Sequence, residues 1–293
     1  MQRGVVLFSI INILIATMTA CSHSSGMNRR YSAKNDQFHE ENSITIIGEP
    51  DKEDSEPLMI TESLDSAFKI CRPAPLSSIS EQILEKSSYI VSYNKDTKIP
   101  NWVAWHLTVN HTDGPVRRIS NFYEEESVAS PRATLEDYRG SGWSRGHMCP
   151  AGDNKWSEMG MYDSFSLVNV CPQNASLNSG IWNVIEIDCR RWANRFGDVY
   201  IVCGPILMNK EHETIGINKV VVPEAFFKVI LCLQRKPKAI GFVVKNNEGK
   251  KKKDQFVNTV DEVEKITGID FFPNLPDDIE EKVEAYANLD DWR

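Results

Sequence analysis

The sequence predicts an α+β fold, in which helices pack on the faces of a central antiparallel sheet. Two observations indicate it. Short runs of β-branched and aromatic residues, separated by turn-forming residues, are typical of strands. One long segment, residues 178–193, instead carries apolar residues at helical spacing.

The first two strand-like runs predict an antiparallel hairpin. Residues 88–93 end at the turn-like Asn94-Lys95-Asp96, and every second residue from Val103 to Val109 is apolar, which is typical of a strand. Further strands are predicted over residues 163–169, 199–205, 220–233 and 239–244, and a short amphipathic helix over residues 260–266.

The central helix carries two stripes of interest. Its predicted buried stripe consists of Ile181, Ile185, Cys189 and Trp192. A second stripe holds Asn178, Trp182 and Glu186 on successive turns. An amide near the start of the helix and a carboxylate two turns later therefore lie on roughly one side.

The charge distribution along the chain determines whether nucleic acid can be a partner. The chain has 293 residues and a net charge of −8, and this negative charge argues against a nucleic-acid partner. However, residues 22–80 hold 10 acidic and 6 basic residues and residues 276–293 hold 7 and 2, so the body between them is close to neutral. A neutral body can present a local basic patch. The candidates are Arg117, Arg118, Arg139, Arg145, Arg190 and Arg191, although any one of them alone is more simply a solvated surface residue.

The N-terminus is typical of an exported protein. Arg3 precedes an apolar run that is too short to span a bilayer and ends in a processing-type sequence. Met18-Thr19-Ala20-Cys21 resembles a bacterial lipobox, whose lipidated cysteine would anchor the chain to a membrane surface; the alternative is an ordinary signal peptide with an incidental cysteine. We expect a signal peptide over 1–20, a lipidated N-terminus and acidic tether over 21–78, and a folded domain over 79–293.

Export would also determine whether the cysteines can form disulfides. An oxidising compartment and six cysteines besides Cys21 make disulfides an expectation, with about 15 pairings left open. No CxxC pair is present, which argues against a structural zinc site.

Two segments carry residues that could hydrolyse a phosphodiester. This reaction needs an activated water, neutralisation of the phosphate charge and help for the leaving alkoxide. His147, within Arg145-Gly146-His147-Met148-Cys149-Pro150, can act as a base near neutrality, and Gly146 would let the backbone bend and admit substrate closely. The alternative for a histidine in an arbitrary sequence is a structural role.

The helix offers metal ligands. The Asn178 carbonyl oxygen could coordinate Mg²⁺, and Glu186 could accept hydrogen bonds from metal-bound water. Arg145 offers fixed donors to a phosphate oxygen. The competing interpretations are a helix N-cap for Asn178 and a surface carboxylate for Glu186.

Several segments together resemble the DNA/RNA non-specific endonuclease family of ββα-metal (His-Me finger) enzymes, which includes the secreted Serratia-type nuclease and mitochondrial endonuclease G. The local match is closest to the exonuclease G-like branch, and the similarity spans roughly residues 88–276. The segments that carry it are residues 144–151, 167–173, 177–186, 223–228, 260–264 and 267–273.

The resemblance implies a role for each site residue. His147 would be the general base, and Asn178 the only direct protein ligand of a single hydrated Mg²⁺, for which Mn²⁺ could substitute. Glu186 would hold the water shell of the metal, and Arg145 and an upstream arginine assigned to Arg118 would bind phosphate. Asn169 matches a position near the site whose role stays open. The family motif usually begins with Asp where this chain has Ser144, which puts in doubt any role that needs a negative charge there.

We therefore expect residues 79–293 to be a nuclease domain that hydrolyses DNA and RNA with low sequence specificity, leaving 5′-phosphate and 3′-hydroxyl ends, in a protein anchored in the periplasm or at the cell surface. The alternative, motivated by Ser144 and the acidic flanks, is a catalytically weak lipoprotein that binds nucleic acid or another envelope partner. A third interpretation is a phosphodiesterase for small substrates. Relatives form homodimers, but nothing in this sequence indicates one.

Overall fold

A seven-stranded antiparallel sheet forms the centre of the computed structural model, which describes residues 64–247 and 251–293. The strands are β1 (Gln82–Glu85), β2 (Ile90–Asn94), β3 (Ile99–Thr108), β4 (Ser144–His147), β5 (Val170–Gln173), β6 (Asp198–Ile206), β7 (Thr214–Ile215), β8 (Val220–Val221), β9 (Ala225–Cys232), β10 (Lys238–Lys245) and β11 (Val257–Asn258). The order in the sheet is β1-β2-β3-β6-β9-β10-β11, and β4 pairs with β5 and β7 with β8 outside it. The predicted hairpin is confirmed as β2–β3.

Helices cover both faces of this sheet, as the α+β prediction requires. They are α1 (Leu64–Cys71), α2 (Leu135–Tyr138), α3 (Glu158–Ser164), α4 (Ala175–Leu177), α5 (Asn183–Phe196), α6 (Val260–Thr267) and α7 (Asp277–Glu284). Helix α5 packs on β3 and β6, and its buried residues belong to one core cluster. Helices α1, α6 and α7 contact strands of the same sheet, and their buried residues belong to a second core cluster.

Burial on both faces explains the composition of the central strands. In β9, Phe226 and Ile230 belong to the core cluster under α5, whereas Phe227 and Val229 belong to the cluster on the opposite face. Because both faces are covered, the strand is a nearly continuous apolar run, in which Lys228 is the exception. The predicted buried stripe of the central helix is confirmed, since its four residues all lie in the cluster under α5.

The strand predicted over residues 163–169 is wrong. The segment completes α3 and then forms a 3₁₀ turn at Leu167–Asn169, and the strand begins only at Val170. Ser157 caps α3 by accepting a hydrogen bond from the Gly160 amide at 3.1 Å. Phe165 and Leu167 are nevertheless buried, so the apolar signal was real but came from a helix end and a turn.

The packed body starts before the boundary predicted at residue 79. Helix α1 falls within the segment assigned to the tether, and its Ala67 and Cys71 are buried against the sheet. The predicted signal peptide and Cys21 lie outside the described residues. Within the described ranges, no helix has both the length and the apolar character needed to cross a bilayer.

Five of the described cysteines, Cys149, Cys171, Cys189, Cys203 and Cys232, are free and buried, so the expected disulfides are not formed among these five. They act as small apolar core residues. Cys203, for example, lies in the cluster under α5 and donates a hydrogen bond from Sγ to the Met148 carbonyl at 3.2 Å.

Candidate active site

The small β4–β5 hairpin positions His147. His147 ends β4 opposite Val170, and Ser144 at the other end lies opposite Gln173. Only one residue, Asn174, separates Gln173 from the start of the next helical segment, so the pairing register also sets where that segment begins relative to the histidine.

Asn169, whose role the sequence left open, holds the chain directly after His147. Its Oδ1 accepts from the Cys149 amide at 2.9 Å, and its Nδ2 donates to the Cys149 and Ser164 carbonyls at 2.8 and 2.9 Å. The Asn169 carbonyl accepts from the Met148 amide at 2.9 Å. A fully buried amide therefore fixes the backbone that carries the imidazole.

The proposed reason for Gly146 is corrected. Its backbone is not in the left-handed region, and a Cβ there would lie 2.3 Å from Gln173 Oε1 and 2.6 Å from Gln173 Cβ. Gly146 is buried against Gln173 rather than open to substrate. The glycine is required for close packing across the hairpin.

The N-cap interpretation of Asn178 is wrong, because Asn174 performs that task. The Asn174 Oδ1 accepts from the amides of Ser176 and Leu177 at 2.9 and 3.2 Å. Asn178 follows α4 and begins a π-helical turn, Asn178–Trp182, in which Gly180 departs from helical backbone angles (φ −99°, ψ −117°). The predicted continuous helix is therefore kinked at its start.

The predicted site residues meet in one cleft of about 310 Å³. Its lining includes Arg118, Arg145, His147, Asn178, Glu186 and Arg190. Trp182, predicted on the same stripe as Asn178 and Glu186, instead points into the core and is fully buried. Of the other basic candidates, Arg191 pairs with Asp188 at 3.1 Å, and Arg117 is absent from the lining of this cleft.

His147 lies in an apolar and cationic frame. Its ring centroid is 5.0 Å from that of Phe122 and 4.9 Å from that of Phe165. The Arg145 guanidinium lies 4.6 Å from the Phe122 ring centroid, and that of Arg118 lies 5.1 Å from the Phe165 centroid. Burial, with the charges of Arg118 and Arg145, lowers the pKa of His147 to about 3. The imidazole is therefore neutral at neutral pH.

Asn178 and Glu186 offer oxygens that the protein does not use. In the described part of the chain, neither side chain forms a hydrogen bond or an ion pair with another residue, yet both line the cleft. Burial raises the pKa of Glu186 to about 7, against the lowering effect of Lys228. A neutral amide oxygen and a carboxylate without partners form a donor set that fits a hard divalent cation.

Lys228 acts on the pKa of Glu186 from outside the cleft lining, and no local sequence pattern indicated this. Its ammonium is fully buried without a hydrogen-bond acceptor, 4.6 Å from the Trp182 ring centroid and 4.9 Å from that of Trp105. Burial acts to lower the pKa of Lys228, but Cys203, Glu186 and other acidic groups around it raise the pKa overall. The sequence shows only a single lysine within the apolar run of a central strand.

Asp153 orients a third arginine. Its Oδ1 accepts from Arg190 at 2.6 Å, and its Oδ2 accepts from Trp105 Nε1 at 3.1 Å. A Cβ at Gly152 would lie 2.8 Å from the Arg190 guanidinium, so the glycine leaves room for this side chain in the cleft wall. Arg190 is one of the basic candidates in the sequence, whereas no sequence pattern indicated a role for Asp153.

A second groove of about 540 Å³ adjoins the cleft and shares Arg118, Arg145 and Asn178 with it. Its other walls include Arg139 and Ser144 and the aromatic residues Phe122, Tyr138 and Trp143. Ser144, where the family motif usually has Asp, therefore faces this groove and is absent from the lining of the cleft around His147.

A β-hairpin, a following helix and a polar cleft between them define a ββα-metal architecture, as the sequence predicted. The chain belongs to the DNA/RNA non-specific endonuclease family, whose model matches residues 66–278.

Individual relatives agree with this assignment. The chain is 37% identical over 207 residues to a mitochondrial nuclease EXOG from Mus musculus, covering 64% of this chain and 56% of the relative. It is 33% identical to mitochondrial endonuclease G from Bos taurus, covering 66% of this chain and 70% of the relative. The match thus spans little more than half the length of the EXOG nucleases. A crystal structure of an EndoG/EndoGI complex, concerned with EndoG inhibition, superposes with a TM-score of 0.68 at 29% identity, covering 74% of this chain and 95% of that one.

The environment of His147 predicts an unusual titration. Because the pKa is lowered to about 3 in the folded protein, from an ordinary value near 6.5, the imidazole should stay neutral from pH 5 to 8. The sign follows from linkage: the stabilising contribution of the neutral imidazole is complete above about pH 6.5 and is lost as the pH falls toward 3. Side-chain ¹⁵N chemical shifts measure the titration, and the urea-unfolded chain is the control. A folded-state midpoint near the unfolded one would contradict this environment.

The buried ammonium of Lys228 predicts a change in the pKa of Glu186 when its charge is removed. Lys228→Met keeps an unbranched side chain but removes the charge, so the pKa of Glu186 should rise further above about 7, by about 1 or more. Side-chain carboxyl ¹³C shifts measure it. Lys238→Met is the matched control, because Lys238 also lies over an aromatic ring, 3.7 Å from the Phe196 centroid, and is not among the charges that shift the pKa of Glu186. An unchanged Glu186 pKa in Lys228→Met would show that Lys228 has no electrostatic role there.

Proposed function

We propose that this chain hydrolyses phosphodiester bonds of DNA and RNA in a Mg²⁺-dependent reaction of low sequence specificity. The observation that carries the proposal is the convergence of the neutral His147 with unused oxygens of Asn178 and Glu186 in a cleft bordered by three arginines. Family membership supports the same reaction class.

His147 is the general base. A neutral imidazole can take a proton from the attacking water without first losing one. Nε2 is enclosed without a hydrogen-bond partner, so Nδ1 is the nitrogen left to take this proton. Asn169 and the β4–β5 register hold the ring in place while the proton moves.

The arginines bind the substrate. Arg118 and Arg145 lie over phenylalanine rings, and Arg190 is held by Asp153, so all three guanidinium groups have oriented positions from which to meet phosphate oxygens. Contacts of this kind address the sugar–phosphate backbone rather than the bases. Cleavage should therefore depend weakly on sequence and strongly on salt.

Asn178 would hold the Mg²⁺ directly, and Glu186 would accept hydrogen bonds from its water shell; Mn²⁺ would serve in its place. When bound, the cation offsets the charge on the phosphate and on the leaving oxygen. The resemblance to the family supports 5′-phosphate and 3′-hydroxyl products. Ser144 lies at the adjoining groove, and no step assigned here needs a negative charge at that position.

The assignment of His147 predicts loss of cleavage in His147→Ala. Nicking of a supercoiled plasmid in Mg²⁺ should fall by about 10²- to 10⁴-fold, the typical contribution of a general base. His212→Ala is the matched control, because His212 pairs with Glu224 at 2.8 Å away from the cleft. Both variants should keep the wild-type melting temperature within about 4 °C. The loss of cleavage in His147→Ala then comes from the missing imidazole and not from unfolding.

The same assay separates the alternatives. Wild-type protein should lose activity in EDTA, recover it in Mg²⁺ or Mn²⁺, and cleave circular DNA, linear DNA and RNA to products with 5′-phosphates. Binding of DNA without cleavage at any divalent concentration would support the catalytically weak lipoprotein instead. Turnover of a nitrophenyl phosphodiester without cleavage of polymers would support the small-substrate enzyme. Full activity of His147→Ala would refute its assignment as base.

We also propose that residues 1–20 direct export and that Cys21 carries lipid, on the evidence of the apolar run and the lipobox-like Met18-Thr19-Ala20-Cys21. The protein would then sit at a membrane surface in the periplasm or on the cell exterior. Whether two copies associate as a homodimer is open to measurement by light scattering.

This anchoring makes a direct prediction. Expressed in a bacterium and labelled with a clickable palmitate analogue, the wild-type chain should take up label and partition into the detergent phase of Triton X-114. Cys21→Ser should do neither, because its hydroxyl cannot form the thioether. Equal partitioning of the two proteins would overturn the lipidation proposal and leave the cleavage chemistry untouched.

A further inference from the structure

A cluster of carboxylates outside the cleft lies between α6 and α7. Asp261 and Glu264 on α6 and Glu284 at the end of α7 place carboxylate oxygens within 4.8 Å of one another. Asp270 and Glu280 lie at the same surface depression of about 440 Å³. In residues 64–247 and 251–293, no lysine or arginine forms an ion pair with any of these five carboxylates.

Glu284 is the unusual member of this cluster. It is only 8% exposed, and its Oε1 is buried without a hydrogen-bond partner. Burial, followed by the charges of Glu264 and Glu280, raises its pKa to about 8. A buried carboxylate without a donor or a cation is unfavourable, because nothing compensates the loss of its hydration.

The fold itself holds these groups together. Val263 of α6 and Val283 of α7 are buried in the same core cluster as Phe271 and Phe272. Glu264 is fixed further, because its Oε1 accepts from the Phe271 amide at 2.8 Å. Apolar packing thus brings one helix end against the other and leaves the carboxylates facing each other.

We propose that Asp261, Glu264 and Glu284 form a structural Ca²⁺ site that fastens α7 to α6. Ca²⁺ takes six to eight oxygen ligands at about 2.3–2.6 Å, so ligands on opposite sides of the ion lie about 5 Å apart, which the spread of the three carboxylates matches. Carboxylates and water can complete such a shell, and the flexible geometry of Ca²⁺ suits three side chains from two helices better than the strict octahedron of Mg²⁺.

This site is distinct from the nuclease cleft, because the two share no lining residue. It binds an ion for stability rather than for chemistry. Its existence therefore does not depend on whether the chain cleaves nucleic acid.

Thermal unfolding of the full chain tests the proposal, with Asn178→Ala as the background so that an ion in the cleft does not contribute. Ca²⁺ at about 100 times its Kd should raise the melting temperature by about 5–10 °C over EDTA, and equimolar Mg²⁺ should raise it less. Calorimetric titration of the same protein with CaCl₂ should give one site per chain.

Substitutions locate the ion. At pH 9, above the pKa of Glu284 of about 8, Glu284→Gln should raise the melting temperature in EDTA, because it removes a buried and repelled charge, and it should abolish the Ca²⁺ shift. Asp261→Asn should weaken the shift. Asp278→Asn is the matched control, because it removes a carboxylate from the same helix that is exposed and paired with Lys282 at 3.4 Å. No Ca²⁺ shift in the background protein, or an equal shift with and without Glu284→Gln, would overturn the proposal.

Discussion

The antiparallel pairing of Ser144–His147 with Val170–Gln173 is the constraint on which the site depends. It fixes His147 at one end, while at the other end Gln173 leads through the Asn174 cap into the segment that carries Asn178 and Glu186. A slip of one residue would turn every side chain of β4 to the opposite face. The contact between Gly146 and Gln173, too close to admit a Cβ, opposes such a slip.

The second determinant is the distribution of charge around the cleft. A protein of net charge −8 concentrates three arginines at one opening and places a buried lysine behind it, close enough to act on the Glu186 carboxylate. Two of these arginines, Arg118 and Arg145, also lower the pKa of His147 and so help to keep its imidazole neutral. In the proposed reaction, substrate binding and the protonation state of the base would thus have a common electrostatic origin.

The sequence predicted the sheet, the main helix and the meeting of His147, Asn178 and Glu186, because strand periodicity, helix spacing and motif resemblance are local signals. It could not separate a ligand role from a capping role at Asn178, since both suit an asparagine near a helix start. That distinction required seeing Asn174 accept the amide hydrogen bonds. Nor could the sequence place Lys228, whose ammonium lies over Trp105 and Trp182, two residues from distant parts of the chain. The strand predicted over residues 163–169 was wrong because apolar residues at a turn and in a short strand give the same sequence pattern.

The central claim is that Asn178 and Glu186 hold a divalent cation opposite the imidazole of His147. Anomalous diffraction from crystals soaked in Mn²⁺ tests it most directly, because manganese scatters anomalously and binds where Mg²⁺ does. The account predicts one peak in this cleft at about 2.1 Å from the Asn178 carbonyl oxygen, with His147 outside the inner coordination shell. A cleft without a peak, or a peak bonded directly to the His147 imidazole, would contradict it.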